Sequence, residues 1–589
     1  PNHFIMSLPK NDSVKIAEAV EKSVQSCWQK IEKKVKKEFF SSVSDQLWRR
    51  QTDNLLEVYW AVVEDDTTAT ARNKAQDALE ARKQLRDFAY VEEADLKCSL
   101  CGIRQELSKE TTNKGARKWW QEKVKQHLNK SHLSKLRVKE DGSEKLCAIC
   151  AVKRSAVAAK AISELEKTDA SFPSTSSIAA ATFKANLLRS ENLEDELKGY
   201  LQTLKNLSIP AKIEKDSIPG LLSIRTILPN EIQEDLLSFD GDLFYTETIN
   251  NNQIKEQFPG AFKELEIKIA KSYGASSVDE ANKVLGSDFQ NEVKKCIDFS
   301  IAIARKKLIK LYQIANTRPS KYYAALMMDG DKMGAFFRAA NNKQAQDLSS
   351  QLSNFASREA KNIVEQNFGY LVYAGGDDVL ALLPLDTTLK CTRELQKMFK
   401  KNVEHIQLPE GIDRPTTSIG VAIAHHTAPL DLTLQKMRHA EKMAKNFYGR
   451  DALCISVLKR SGEEVCIGTH WTENVNVDSQ SLIGLVEEMV EVLQKNVLSM
   501  KFAYAVASEA SALSNDSMPV DARLSALKRL ANRQQGKYYD QMRVESLVKK
   551  LAWWSTLKHG SSETALGMQE VAQWILLARF IANSGRDEE

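Results

Sequence analysis

The segment Tyr322-Tyr323-Ala324-Ala325-Leu326-Met327-Met328-Asp329-Gly330-Asp331 is almost wholly apolar until it ends in two carboxylates around a glycine. So continuous a run reads as a strand buried on both faces, and therefore central in its sheet. The sequence after it alternates in period. A helical stretch at about 341–366 leads to a strand at 370–374, and Gly375-Gly376-Asp377-Asp378 separates that strand from another at 379–383. A helix at about 387–405, a strand at 416–424, a helix at about 432–447 and a strand at 452–458 follow. The order β-α-β-β-α-β is that of a ferredoxin-like split βαβ unit.

Outside this block the pattern is mostly helical. A short strand is expected at 2–8, then helices from about 13 to 40 and onward to about 90, with a break at Asp65-Asp66-Thr67-Thr68. An Ala-rich helix follows at 151–167, and Phe172-Pro173-Ser174-Thr175-Ser176-Ser177 reads as a loop capping the next helix. From 186 to 315 the chain is helical, broken at Pro210, Pro219 and Pro229, and from about 471 it is helical again. The 589 residues correspond to about four domains at roughly 150 residues each. With 42% apolar and 27% charged residues, the composition excludes a disordered, collagenous or disulfide-stapled chain. Apolar runs such as 574–578 are cut by charge at Arg579, so no membrane span is expected. With no basic-then-apolar leader, a reducing cytoplasm is the expected compartment. The first residue is Pro rather than Met, so further sequence upstream is expected.

Net charge is only +5, but it is unevenly placed. Between Cys101 and Cys147 there are twelve Lys/Arg against six Asp/Glu, interleaved with Trp119, Trp120, His127 and His132, a basic and aromatic mixture suited to phosphate and base contacts. Arg305, Lys306, Lys307, Lys310, Arg318 and Lys321 form a second basic run with no acidic residue among them. Each reads singly as a solvated face; together they point towards a polyanionic partner.

Gly375 and Gly376 can adopt positive φ and let a backbone approach a phosphate, although Gly-Gly-Asp is also ordinary turn chemistry. The neighbours decide between the two. In a split βαβ the strand ending in Asp329 and Asp331 lies beside the hairpin carrying Asp377 and Asp378, so three or four carboxylates converge at one sheet edge. Like charges so close repel unless a divalent cation sits among them, and an all-oxygen ligand set selects Mg²⁺ or Mn²⁺. Lys445 and Arg450 close the last helix, where a cation suits the helix dipole; Lys445 equally suits a triphosphate, whereas Arg450 reads as structural.

Cys98-Ser99-Leu100-Cys101 and Cys147-Ala148-Ile149-Cys150 are two CxxC knuckles, the usual donor set of a structural tetrahedral zinc site. The 45 residues between them exceed the usual spacing of about 15–20. A competing set pairs the first knuckle with His127 and His132. Cys27, Cys296, Cys391, Cys454 and Cys466 read as ordinary thiols.

Met328-Asp329-Gly330-Asp331-Lys332-Met333-Gly334, the Gly-Gly-Asp-Asp hairpin, and the run from Ser418-Ile419-Gly420 to His425-His426 together resemble the large subunit of type III-B CRISPR effector complexes, the Cmr branch of the Cas-ten family. Asn2-His3-Phe4, Phe172-Pro173-Ser174-Thr175-Ser176, Gly241-Asp242-Leu243-Phe244-Tyr245 and 456–462 are similar to that subfamily too. The resemblance implies an α+β multidomain chain. It would hold a degenerate first palm over 1–185 with a zinc-binding insert at 98–150, a helical domain over 186–315, a second palm with the active site over 316–468, and a C-terminal helical domain over 469–589. It implies that ATP and Mg²⁺ or Mn²⁺ bind and that cyclic oligoadenylate is made when target RNA is captured. Asp377, Asp378 and Asp329 would be catalytic, with Asp329, Asp377 and Asp331 holding metal. Gly375, Gly376, Lys445 and Ser418 would lie against the nucleotide. Implied partners are the other Cmr subunits, including the small subunit and the subunit binding the guide 5′ end, together with guide and target RNA. Many relatives begin with an HD nuclease domain; no His-Asp dipeptide occurs here, so that activity is not expected of this chain. Two other readings stand beside this one: a silent scaffold, and a diguanylate cyclase, whose hairpin would have Glu and Phe where this chain has Asp378 and Val379.

Overall fold

The computed structural model describes residues 4–585 apart from 54, 65–67, 86–92, 94–95, 127–137, 140, 163–171, 191, 210–217, 258, 472–480, 515–517 and 558–566. The chain falls into two compact units, Pro1–Ser171 and Phe172–Glu589.

The first unit is helical among its described residues: Ser13–Phe39, Asp45–Thr52, Thr68–Gln84, Asn113–Lys125 and Ala148–Ser155. Its core joins Val35, Phe39, Phe40, Trp48 and Trp120 to the sulfurs of both knuckles. Residues 4–9 form no strand, and the first palm expected over 1–185 contributes no sheet strand among the described residues, only an isolated bridge between Lys97 and Gln105. Trp120, grouped above with potential base contacts, is fully buried and donates its indole N–H to Glu106 at 2.8 Å. His127 and His132 lie outside the described residues.

The second unit is built on one sheet. Its strands are β1 (Tyr322–Asp331), β2 (Tyr370–Gly375), β3 (Asp378–Pro384), β4 (Thr416–His425), β5 (Ala452–Leu458) and β6 (Glu464–His470), in the order β2-β3-β1-β4-β5-β6. β1 is central and antiparallel to both β3 and β4, as the split βαβ requires, while β5 runs parallel to β4. Strand side chains alternate between faces, and here the alternation sorts two cores. Ala324, Leu326 and Met328 join Ile419, Val421 and the helices Thr388–Glu404, Leu482–Gln494 and Gly567–Ala582 on one side. Tyr323, Ala325 and Ala422 join residues 178–312 and Met437 on the other. The helices expected as separate domains before 315 and after 469 therefore share cores with the palm sheet.

Gly420 on β4 fixes the position of the helix Leu430–Asn446. A Cβ at Gly420 would lie 2.2 Å from the Glu441 backbone nitrogen and 2.6 Å from the Met437 carbonyl oxygen. Only glycine lets helix and strand backbones come so close, and the approach carries Glu441 and Lys445 to the acidic end of β1.

Candidate active site

The β2–β3 hairpin turns through Gly376 and Asp377, with Gly375 paired to Asp378. Gly376 has φ +66° and open space where a Cβ would be, the conformation a type II′ turn places at its first central residue. Gly375 is small for a different reason: the Tyr373 hydroxyl occupies the position of a Cβ, 2.3 Å from it. The phosphate-approach role expected of both glycines is thus geometrically open at Gly376 alone.

Asp329, Asp377 and Asp378 gather where the hairpin meets the end of β1. The Asp377 carboxylate lies over Gly330, where a Cβ would come within 2.5 Å of its Oδ2. Burial pushes the Asp377 carboxyl above its usual range, against hydrogen bonds from its own N–H and that of Gly330, with the charge of Asp329 adding to the rise. Asp378 is hydrogen-bonded to Asp329; burial, that bond and the two neighbouring carboxylates push it up to about 7. Lys445 is the counter-charge. Its ammonium pairs with Asp329 and with Glu441, the latter at 2.7 Å. Burial alone would lower its pKa, but these two carboxylates outweigh it and raise it.

Asp331 is placed differently. Its side chain is fully buried; Ser418 Oγ donates to it at 2.9 Å, Thr416 Oγ1 at 3.0 Å and the Asp451 backbone N–H at 3.0 Å, with Arg450 at 3.9 Å. With its carboxylate buried and held by these donors, Asp331 has a structural part in the fold, tying β1 to β4 and to the loop before β5. Ser418, expected at the nucleotide, is fully buried with its hydroxyl committed to Asp331. The chain can present the Asp451 N–H because Gly449, Arg450 and Asp451 all adopt positive φ, at 79°, 73° and 45°. Sequence reading missed Gly330, Glu441, Tyr373 and this N–H. A Gly between two Asp was the visible signal for Gly330; nothing marked the others.

His425 and His426 lie at the opposite end of β4. His425 pairs with Tyr322, whereas Ser418 pairs with Asp329. That separation is roughly 23 Å at about 3.3 Å per residue. His426 stacks on Tyr245 at 4.4 Å between centroids, Thr175 Oγ1 donates to the His426 carbonyl at 2.7 Å, and the Tyr245 hydroxyl donates to the Ser320 carbonyl at 2.7 Å. The family-like segments at 172–177, 241–245 and 425–426 are thus packed together. Burial, then the charges of His426, Arg460 and Lys321, hold His425 down to about 4, against Glu247. Its Nδ1 accepts the Thr427 N–H at 3.2 Å, which a neutral ring allows. An unfolded histidine takes up a proton near pH 6.5, so the unfolded state binds more protons between there and pH 4, and stability falls as pH drops across that window. Urea titrations from pH 7 to pH 4 are expected to show a loss of about 1–2 kcal/mol, after screening at the sheet end, that His425→Gln reduces.

In the first unit the four knuckle sulfurs lie within 4.8 Å of one another, so Cys98, Cys101, Cys147 and Cys150 form a cluster that could hold a metal ion such as zinc. The knuckles are tied directly. The Ser99 N–H donates to the Lys145 carbonyl at 2.8 Å and the Lys145 N–H to Ser99 Oγ at 2.9 Å. The Ala148 N–H, inside the second knuckle at the start of the helix Ala148–Ser155, donates to Gln51 at 2.8 Å. Hydrogen bonding from Cys147 and Cys150 draws the Cys98 thiol well below its ordinary range, and the same sharing pushes Cys147 up.

A split βαβ sheet with converging carboxylates beside its central strand defines a palm domain. Residues 322–454 match the family model Cas10/Cmr2, second palm domain. Over 263 residues, 39% of this chain, the sequence is 31% identical to the CRISPR system Cmr subunit Cmr2 of Pyrococcus furiosus; the match spans 26% of that relative's length. In fold the chain is similar to one in the type III-B Cmr-beta complex in its apo state, with TM-score 0.55 and 11% identity over 98% of this chain and 69% of that one. It is likewise similar to one in the same complex bound to cognate target RNA, with TM-score 0.50 and 12% identity over 98% and 70%. Residues 322–454 are thus a second palm domain of the Cas10/Cmr2 type, and the chain as a whole shares its fold with a chain of the Cmr-beta complex.

Proposed function

We propose that this chain is the large subunit of an RNA-guided type III interference complex and that its palm joins ATP into cyclic oligoadenylate when target RNA is captured. The observation that carries the reading is the juxtaposition of Asp329, Asp377 and Asp378 beside Lys445 at an open hairpin edge. The donor set fits a hard divalent ion. Oxygen is the only ligand type, and the adjacent charges of Asp329 and Asp378 repel one another, a penalty that a cation would remove. Asp329 and Asp378 would hold Mg²⁺ or Mn²⁺, with Asp377 supporting them from over Gly330. When bound, such ions neutralise the triphosphate and activate an attacking ribose hydroxyl. Gly376 leaves space for the nucleotide, and Lys445 provides a cation at the rim, kept in place by Glu441. The knuckle cluster would hold zinc in a closed, structural site.

The test is product analysis with partner subunits, guide RNA, labelled ATP or GTP, and Mg²⁺ or Mn²⁺. Cyclic adenylates that need target RNA are expected. Guanylate products without RNA would favour the diguanylate cyclase reading, and no product under any condition the silent scaffold.

Gly330→Ala tests the geometry more finely. The new methyl would press on Asp377 Oδ2, Asp377 Cβ at 2.8 Å and Met333 Cγ at 2.9 Å. A displacement near 1 Å at reacting groups costs on the order of a hundred-fold in rate. Turnover is expected to fall by about that factor while the thermal midpoint stays close to that of the parent.

A further inference from the structure

We propose that Cys454 and Cys466 form a reversible disulfide across the outer strand pair of the palm, an oxidation site distinct from the knuckle cluster. Their sulfurs are 3.3 Å apart, although twelve residues and the turn between β5 and β6 separate them in sequence. The register explains the proximity. Cys454 pairs with Gly468 and Ser456 with Cys466, so the two thiols are diagonal neighbours on one face of the ladder. Gly468 leaves room beside Cys454, filled by the Tyr448 ring, which would lie 2.3 Å from a Cβ there.

The two thiols are unequal. Cys454 is fully buried in a small cluster with Ala440, Ala444, Tyr448 and Ala452. Cys466 is exposed, on a strand that ends the sheet. An oxidant in solution can therefore reach Cys466 and not its neighbour. A hydrogen bond with Cys454 holds the Cys466 thiol below its ordinary range, helped by Lys436 and opposed by burial and Glu464. Lys436 is held alongside by Glu464 at 2.5 Å. This is the setting of a reactive thiolate with a resolving partner.

With a peroxide as oxidant the step balances. The Cys466 thiolate attacks one peroxide oxygen, the O–O bond breaks, and water leaves after protonation, giving a sulfenic acid. The Cys454 sulfur then displaces the hydroxyl as a second water, and the S–S bond forms. Two thiols are oxidised and one peroxide is reduced to two waters. The bond would anchor β6 to β5 beside Tyr448, three residues before the Asp451 N–H that holds Asp331.

The test is peptide mapping of the full-length chain treated with hydrogen peroxide, alkylated without reduction and digested with trypsin. Lys459 and Arg460 lie between the two cysteines, so their peptides separate unless bonded. A linked pair is expected in the parent after oxidation. It should disappear on adding dithiothreitol and be absent from both Cys466→Ser and Cys466→Ala, which change an exposed position and leave the buried one intact. Cys466 carried to sulfinic or sulfonic acid, or left unmodified, with Cys454 still alkylated as a free thiol after unfolding, would overturn the proposal.

Discussion

Replacing Asp377 and Asp378 together by alanine is expected to stop nucleotide transfer, by about a thousand-fold or more, without loosening the fold. The factor follows from the ions those side chains would support: transition-state stabilisation of about 4 kcal/mol corresponds to roughly a thousand-fold in rate. The stability half of the prediction is the more discriminating. Asp378 is pushed up to about 7 by burial and by its neighbours. Its ionised form is therefore unfavourable in the metal-free fold relative to the unfolded chain, and the difference is fully expressed above that pH. Deleting the two carboxyls removes that penalty, so the thermal midpoint at pH 8 in EDTA should hold or rise as activity vanishes. Turnover of labelled ATP in the assembled complex and a melting curve of the same preparation check both halves. Undiminished product from the double variant would sink the site assignment.

The second large effect concerns the first unit. Cys98→Ser, or removal of the ion by a strong chelator, is expected to unfold residues 1–171 while leaving the palm intact. Structural tetrathiolate zinc is worth on the order of 10 kcal/mol to small zinc-dependent folds. A unit of this size holds only about 5–15 kcal/mol in total. The cluster also lies inside the core rather than beside it, since Cys98, Cys147 and Cys150 pack with Trp48 and Trp120. Elemental analysis should give one zinc per chain in the parent. Limited proteolysis should then cut the variant before about residue 171 and spare 322–470. A parent chain without metal, or a serine variant equally resistant to protease, would contradict the tetrathiolate reading.

How far the sequence could be read depended on how local each cause was. β1 was visible because a strand buried on both faces needs an unbroken apolar run, and the hairpin because Gly-Gly-Asp-Asp is a turn whose conformation is set within four residues. The convergence of Asp329 with Asp377 and Asp378 followed from strand order alone. The surroundings of Asp331 were not legible because they depend on Thr416, Ser418 and Asp451, more than 80 residues away and brought in only by the β1–β4 register and a left-handed loop. Trp120 was misread for a similar reason: an aromatic among lysines looks like a base platform until a distant Phe40, itself backed by Trp48, closes over it. The first-palm expectation rested on resemblance rather than on alternating strand patterns. Cys454 and Cys466 carried no motif at all; only the ladder between β5 and β6 puts them together.

The division of β1 between two cores has a bearing on how the protein avoids misassembly. Sliding β1 by a single position against β3 and β4 would turn Asp329 and Asp331 towards the aliphatic layer that holds Leu326, Met328 and Ile419, and turn those side chains the other way. Two stranded anions in that layer would be far costlier than a merely imperfect fit. The acidic pair thus disfavours such a slipped pairing of its own strand.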